Sequence, residues 1–346
     1  MAEPALAAYD GVVCDLDGVV RRGTAAVPHA VERLTALTVP VVYATNNASL
    51  TPADVATQLR GLGVEVTAAD VVTSSQAGAA YVAGRVAPGS AVLAVGGPGV
   101  AAALTEGGLT PVTDTHDGVV AVLQGYGPAV TASDLARAAY AVQAGALWVA
   151  TNRDSTLPTQ YGVAPGNGAL IAAVALATGT EPVAVGKPEP PLYDLAVGRL
   201  GCPAGRALAI GDRLDTDIAG ATAAGLDSLW VLTGVDSLAS FARAPGHPTP
   251  TYTAVDLQAL DRPPQRAQPG PDGSWVCDDV RLTVDWPTAA VTVDGLPGRD
   301  GLGAGMRDHN AVLTAAVAAL VRARDEQGAG SDALARVADA VTAQLR

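Results

Sequence analysis

Lysine is nearly absent from this chain of 346 residues: Lys187 is the only one, and the other 20 of its 21 basic residues are arginines. Cysteine is scarce too. Cys14, Cys202 and Cys277 are far apart and odd in number, which supports neither a disulfide framework nor a Cys-rich metal site. Large side chains are few, since 34.4 kDa is a low mass for this length and Ala, Gly and Val have displaced bulkier residues. No apolar run approaches the roughly 18 residues that span a bilayer. The opening MAEPALAAYD is acidic and lacks a long apolar core, so no signal peptide is expected. Positive charge is short as well: 34 acids against 21 bases leave a net charge of −13. Such a field repels nucleic acid and anionic membranes, and no basic stripe interrupts it. A cytoplasmic protein with neither nucleic-acid nor membrane partners is expected. What the chain does have is apolar residues, 49% against 16% charged, enough for a sizeable core.

Along the first 260 residues, short Val/Ala/Leu/Ile runs alternate with stretches of helical spacing. The runs are GVVCDL (11–16), VPVVYAT (39–45), AVLAV (91–95), GVVAVLQ (118–124), ALWVAT (146–151), VAVG (183–186), ALAIG (207–211) and SLWVL (228–232). Thr51-Pro52 and Thr131-Ala132-Ser133-Asp134 carry helix start signals. Continuous apolar strands alternating with helices predict parallel strands covered on both faces. Eight of them exceed the usual open sheet, so two α/β units are expected. A break follows residue 261, where DRPPQRAQPGPDG holds four prolines and two glycines and reads as a linker. Beyond it the pattern predicts a hairpin over Trp275–Val293, a glycine-rich turn, and Ala-rich helices at about 307–324 and 331–345.

Chemistry-bearing residues stand at the carboxyl ends of four of these runs, the edge where open α/β sheets bind ligands. The first ends in Asp15-Leu16-Asp17-Gly18. Two carboxylates two residues apart, bent by the glycine, could divide nucleophilic and acid/base work; an acidic turn closing a strand has the same look. The second ends in Thr45-Asn46-Asn47-Ala48-Ser49, a hydroxyl and two amides able to donate to phosphate oxygens, or simply turn chemistry. The third ends in Lys187-Pro188, whose ammonium would offset phosphoryl charge. The fourth ends in Gly211-Asp212-Arg213-Leu214-Asp215-Thr216-Asp217. Three carboxylates in six residues suit a hard cation such as Mg²⁺; helix capping by Asp is the alternative use of one of them.

DLDG, TNNAS, GKP and GDRLDTD, in that order, resemble the four motifs of the haloacid dehalogenase-like phosphatases, over residues 11 to about 260. The insert at about 77–180 resembles the large α/β cap of the branch holding p-nitrophenyl, pyridoxal phosphate and glycerol or glycolate phosphatases. The stretches LWVATNRD and LPTQYGVAPGNGAL are similar to its glycerol phosphate members. This resemblance implies an α/β fold: a Rossmann-like parallel-sheet core from residues 1–76 and 181–263, an α/β cap over 77–180, and a small α+β appendage over 267–346. The appendage would be partly acetyltransferase-like and non-catalytic.

The resemblance further implies a Mg²⁺-dependent phosphomonoesterase acting on a small phosphorylated metabolite through an aspartyl phosphate. Glycerol 3-phosphate leads. Phosphoglycolate, a nucleotide or pyridoxal phosphate, and a phosphometabolite sensor with little turnover, are the alternatives. Asp15 would be the nucleophile and Asp17 the acid/base. Thr45, Asn46 and Asn47 would hold the phosphoryl oxygens and Lys187 would neutralise them. The metal would sit on Asp15, the Asp17 carbonyl and Asp212, with Asp217 reaching it directly or through water. Asp215 matches a variable position. A homodimer through the cap is expected.

Within the cap, Asn152 and Asp154 of TNRDSTLP are expected to meet the substrate. Pyridoxal phosphate phosphatases carry a histidine just before the matching proline. Leu157 stands there instead, which disfavours a flat aromatic substrate and leaves room for a small polyol phosphate. Gly97-Pro98-Gly99-Val100-Ala101-Ala102 matches a dinucleotide-binding pattern, with Asp117 following 20 residues later. Pro98 removes one amide, however, and the turn lies inside the cap, away from the carboxylate motifs. Arg299–Gly305 is glycine-rich but departs from coenzyme A loop spacing. His29, His116, His247 and His309 show no ligand spacing and are read as non-catalytic.

Overall fold

The eight apolar runs all lie on strands: Gly11–Cys14, Val41–Thr45, Ala91–Val95, Val119–Gln124, Leu147–Ala150, Val183–Ala184, Ala207–Gly211 and Asp227–Val231. Ala207–Gly211 is buried at every position, as a parallel strand covered on both faces must be. The computed structural model describes residues 6–115, 118–159, 161–244, 246, 248–261, 263, 265–295, 305–325 and 328–345. His116, Asp117, His247 and the stretch 299–304 lie outside the described residues. Two units are resolved, Met1–Val41 with Cys202–Arg346, and Val42–Gly201. No described helix is long and apolar enough to cross a membrane.

In the first unit, parallel strands run side by side in the order Tyr252–Ala254, Asp227–Val231, Ala207–Gly211, Gly11–Cys14. Gly11 stands opposite Ala207, and Leu208 opposite Asp227. After the linker come four antiparallel strands, Gln268–Pro269, Trp275–Cys277, Val280–Asp285 and Ala290–Asp294, then helices Gly305–Asp325 and Ser331–Gln344. These do not form a separate layer. Leu214, Trp230 and Phe241 from the parallel-sheet region share one apolar core with Leu282, Leu313, Leu320, Val337 and Val341. The Trp230 and Phe241 rings lie 5.8 Å apart, and Asn310 Oδ1 on the first C-terminal helix accepts from the Val255 N–H at 2.8 Å.

The second unit holds a five-stranded parallel sheet in the order Val183–Ala184, Leu147–Ala150, Val119–Gln124, Ala91–Val95, Thr110–Val112. Val183–Ala184, which the sequence placed with the core segment 181–263, is thus an edge strand of this sheet. Helices Ala132–Gln143 and Asn167–Thr178 cover one face through Ala138, Val142, Ile171 and Val174. Val41–Thr45 pairs in parallel with Val71–Thr73, and Thr156–Thr159 forms a hairpin with Gly162–Pro165. The start signals at Thr51 and Thr131 become reciprocal capping boxes with Asp54 and Asp134. In each, the threonine hydroxyl and N–H hold the aspartate carboxyl below its ordinary range.

The dinucleotide-like turn has a different use. Gly99 N–H donates to the Ser49 carbonyl at 3.0 Å, and a Cβ on Gly99 would lie 2.4 Å from the Leu50 carbonyl. The glycine lets this turn grip the Thr45–Ser49 loop.

Because Leu320 is 1% exposed in the shared core of the first unit, Leu320→Ala should lower the unfolding free energy by about 2–5 kcal/mol. Urea unfolding followed by tryptophan fluorescence reads this; a loss below about 1 kcal/mol would mean that the C-terminal helix does not share that core.

Candidate active site

Strand Gly11–Cys14 delivers Asp15, whose N–H donates to the Ile210 carbonyl at 2.9 Å. Leu16 is fully buried, and its carbonyl accepts from the Val20 and Arg21 amides at 2.9 and 3.0 Å, folding the chain back sharply. The bend falls on Gly18, with φ 98°, a conformation costly for any other residue. Thr233 Oγ1 donates to the Gly18 carbonyl at 2.6 Å. A Cβ on Gly18 would come within 2.4 Å of Asp212 Oδ2, and one on Gly234 within 1.8 Å of the same atom. Two glycines thus make the slot that Asp212 occupies.

Further bonds set its orientation. The Val235 N–H donates to Asp212 Oδ2 at 2.6 Å, and Trp230 Nε1 donates to the Asp212 carbonyl at 3.0 Å. Asp212 is fully buried. Asp217 follows within a turn over Leu214–Ile218 wound with the wider i→i+5 spacing, the Ile218 N–H donating to the Arg213 carbonyl at 3.1 Å. Its Oδ2 accepts from the Asp212 and Arg213 amides at 3.2 and 3.1 Å.

One carboxylate oxygen from each of Asp15, Asp212 and Asp217 lies within 4.8 Å of the others. At an effective dielectric near 20, each such pair of charges repels by about 3 kcal/mol. A divalent cation turns that repulsion into attraction, and an all-oxygen set of hard anionic donors matches Mg²⁺. The residues present therefore fit the metal. The Asp17 carboxylate is not among the three; it is 61% exposed and paired with Arg21, Nε to Oδ1 at 2.9 Å. The resemblance assigned only its main-chain carbonyl to the metal.

The second unit gathers the remaining motif residues. Thr45 is buried at its strand end, and its Oγ1 accepts from the Asn47 N–H at 3.1 Å. Asn47 Oδ1 accepts from both the Ser49 N–H and its hydroxyl, at 2.9 and 2.7 Å. Lys187 is 3% exposed, and its Nζ donates to the Ala44 carbonyl at 3.0 Å. The Asn46 amide, expected to face a phosphoryl group, instead bonds the Lys187 main chain on both sides. Asn152 Nδ2 donates to the Asn46 carbonyl at 2.8 Å, and its Oδ1 accepts from the Asp154 N–H at 3.1 Å. Asp154 Oδ2 accepts from Asn46 Nδ2 at 3.4 Å. Asn46, Asn152, Asp154 and Lys187 thus form one network.

Several residues in these clusters had no sequence signal of their own. Arg21 follows the first motif as one of two adjacent arginines. Thr233, Gly234 and Asp236 follow strand Asp227–Val231, with Asp236 Oδ2 accepting from the Leu214 N–H at 2.8 Å. A fifth strand end in the same alternation was the available hint. Ser74 Oγ, bonded to the Asn46 carbonyl at 2.7 Å, gave none.

The family model for haloacid dehalogenase-like hydrolases matches residues 12–110, and a second HAD-hydrolase-like model matches residues 184–260. The chain belongs to the haloacid dehalogenase-like hydrolase family. Among named relatives, a D-glycerol 3-phosphate phosphatase of Mycobacterium tuberculosis is 45% identical over 270 residues, 78% of this chain and 76% of that protein. An acid sugar phosphatase of Staphylococcus aureus is 36% identical, covering 72% of this chain and 95% of that one. Of solved structures, the M. tuberculosis glycerol phosphate phosphatase in complex with magnesium superposes with a TM-score of 0.79. It is 38% identical over 94% of this chain and 93% of that one. A p-nitrophenyl phosphatase from Archaeoglobus fulgidus gives a TM-score of 0.68 at 28% identity, covering 73% and 98%.

The Gly234 slot yields a test. In Gly234→Ala the added methyl must displace the Asp212 carboxylate, so calorimetric Mg²⁺ affinity should fall at least about tenfold with circular dichroism unchanged. Unaltered Mg²⁺ binding would remove Asp212 from the metal site.

Proposed function

We propose that this chain is a Mg²⁺-dependent phosphomonoesterase that hydrolyses a small phosphate ester, glycerol 3-phosphate foremost, through an aspartyl-phosphate intermediate. The observation that carries the reading is the Asp15–Asp212–Asp217 carboxylate set at the strand ends. The phosphatase relatives named above point to the same chemistry. The Asp15 carboxylate attacks phosphorus. Asp17 gives a proton to the departing alkoxide, then takes one from the water that opens the aspartyl phosphate. Its exposure suits a group that must reach both a leaving group and water. Asp15, Asp212 and the Asp17 carbonyl would hold magnesium, with Asp217 reaching it directly or through water, and the ion would supply positive charge against the phosphoryl oxygens. Thr45 and Asn47 donate to those oxygens, and Lys187 adds its ammonium charge.

Substrate choice rests on residues 151–161. Leu157, opposite Ala164 in the hairpin, offers an apolar wall instead of a stacking or cationic group. The net charge of −13 disfavours polyanionic substrates. We read the enzyme as cytoplasmic. A homodimer through the cap is supported by Tyr140 and Leu176, 61% and 90% exposed on helices Ala132–Gln143 and Asn167–Thr178. Sedimentation of the full chain as a monomer would sink the dimer.

Asp15→Asn should abolish phosphate release with the fold intact. Asp17→Asn should slow glycerol 3-phosphate far more than p-nitrophenyl phosphate, whose leaving group needs little protonation; equal slowing would refute the general-acid role. No Mg²⁺-dependent turnover of any small phosphate by the wild type would leave a sensor.

On a substrate panel, kcat/KM for glycerol 3-phosphate should exceed that for pyridoxal phosphate and AMP by at least about tenfold, roughly 1.4 kcal/mol in transition-state binding. Leu157→His should narrow the gap. An unchanged ratio would place the selecting contacts elsewhere.

A further inference from the structure

We propose that Asn46 is a positioning residue that holds Lys187, and not a donor to the substrate. This deepens the reading above, since it rests on Lys187 meeting the phosphoryl group. Asn46 Oδ1 accepts from the Lys187 N–H at 2.8 Å, and Asn46 Nδ2 donates to the Lys187 carbonyl at 3.0 Å. One carboxamide thereby satisfies both main-chain polar groups of a single residue 141 positions away, as a neighbouring strand would. The approach is close: a Cβ on Gly186 would lie 2.6 Å from Asn46 Oδ1 and 2.2 Å from the Thr151 carbonyl. Only glycine before the lysine admits this contact.

Asn46 is itself held from two sides. Its carbonyl accepts from Ser74 Oγ at 2.7 Å and from Asn152 Nδ2 at 2.8 Å. Nδ2 also faces Asp154 Oδ2 at 3.4 Å. With Oδ1 and Nδ2 both engaged, the carboxamide is oriented toward Lys187. Asn152 and Asp154, expected to meet the substrate, support Asn46 in this arrangement. The consequence for Lys187 is a fixed origin for its side chain, whose Nζ sits against the Ala44 carbonyl at 3.0 Å. A flexible four-carbon stem is a poor electrostatic catalyst unless its base is fixed.

The chain offers an unusually clean test, because Lys187 is its only lysine. Acylation of Nζ by an N-hydroxysuccinimide ester, read by mass spectrometry on the Lys187 peptide, reports its accessibility without competing side-chain amines. Each hydrogen bond lost makes local opening severalfold easier, so Asn46→Ala, which removes both bonds to Lys187, should speed labelling about tenfold. Asn46→Asp keeps the acceptor for the Lys187 amide and should fall between wild type and Asn46→Ala. It also keeps the test alive if Asn46→Ala folds poorly. Inorganic phosphate binding in Mg²⁺, measured by calorimetry, should weaken about tenfold in Asn46→Ala but less than about twofold when the same change is made on a Lys187→Met background.

Labelling at the wild-type rate in both Asn46 variants, or equal phosphate loss on both backgrounds, would overturn the proposal and make Asn46 a direct contact. Absence of Mg²⁺-dependent phosphate release by the wild type would instead refute the phosphatase reading, and labelling would still decide what anchors Lys187.

Discussion

Asp212 has nowhere else to go. Its carboxylate is fully buried between two positions that tolerate no Cβ, with Asp15 and Asp217 offering oxygens within 4.8 Å. Much of the first unit is arranged around that confinement. The left-handed bend at Gly18, the Thr233 hydroxyl on its carbonyl and the Val235 amide on Oδ2 each remove a way for the charge to escape repulsion. Main-chain amides partly offset the negative charge, and a cation would complete the balance. Trp230 carries the constraint outward: its indole bonds the Asp212 carbonyl, while its ring packs in the core shared with the C-terminal helices. The tail is therefore connected to the acidic centre through one buried side chain.

The second unit follows a related rule with neutral groups. Polar side chains that look like ligand donors in the sequence are largely occupied with one another. Asn152 holds Asn46, Asn46 holds Lys187, and Ser49 turns Asn47. Buried amides are costly when unsatisfied, so a cluster of them closes into a network that leaves few groups to face outward. The glycine-rich turn at 96–99 obeys the same demand for close approach, gripping the Thr45–Ser49 loop from its own side.

Much of the framework was legible because it is written in short-range pattern. Apolar runs of four to seven residues marked the main parallel strands, and Thr51-Pro52 and Thr131–Asp134 marked two helix starts. The parallel strands that escaped notice, Val71–Thr73, Thr110–Val112 and Tyr252–Ala254, have three residues each and too little periodicity to stand out. Their pairing comes from neighbours already in place. The assignment of Val183–Ala184 failed for a related reason: a two-residue strand shows that it will pair but not with which sheet.

By itself, the sequence determined which residue types stand at strand ends and in what order: Asp15 and Asp17, Thr45, Lys187, Asp212 and Asp217. That much follows from periodicity and the chemistry of side chains a few residues apart. Only the tertiary structure decided that Asp212 and Asp217 share a space with Asp15, that Asp17 turns to Arg21, and that the Asn46 amide bonds the Lys187 main chain. Most of these contacts join residues far apart along the chain, and a carboxylate or an amide looks the same in sequence whether it faces a ligand or a neighbouring backbone. Which partner it takes depends on where burial places it, and burial is a property of the folded chain.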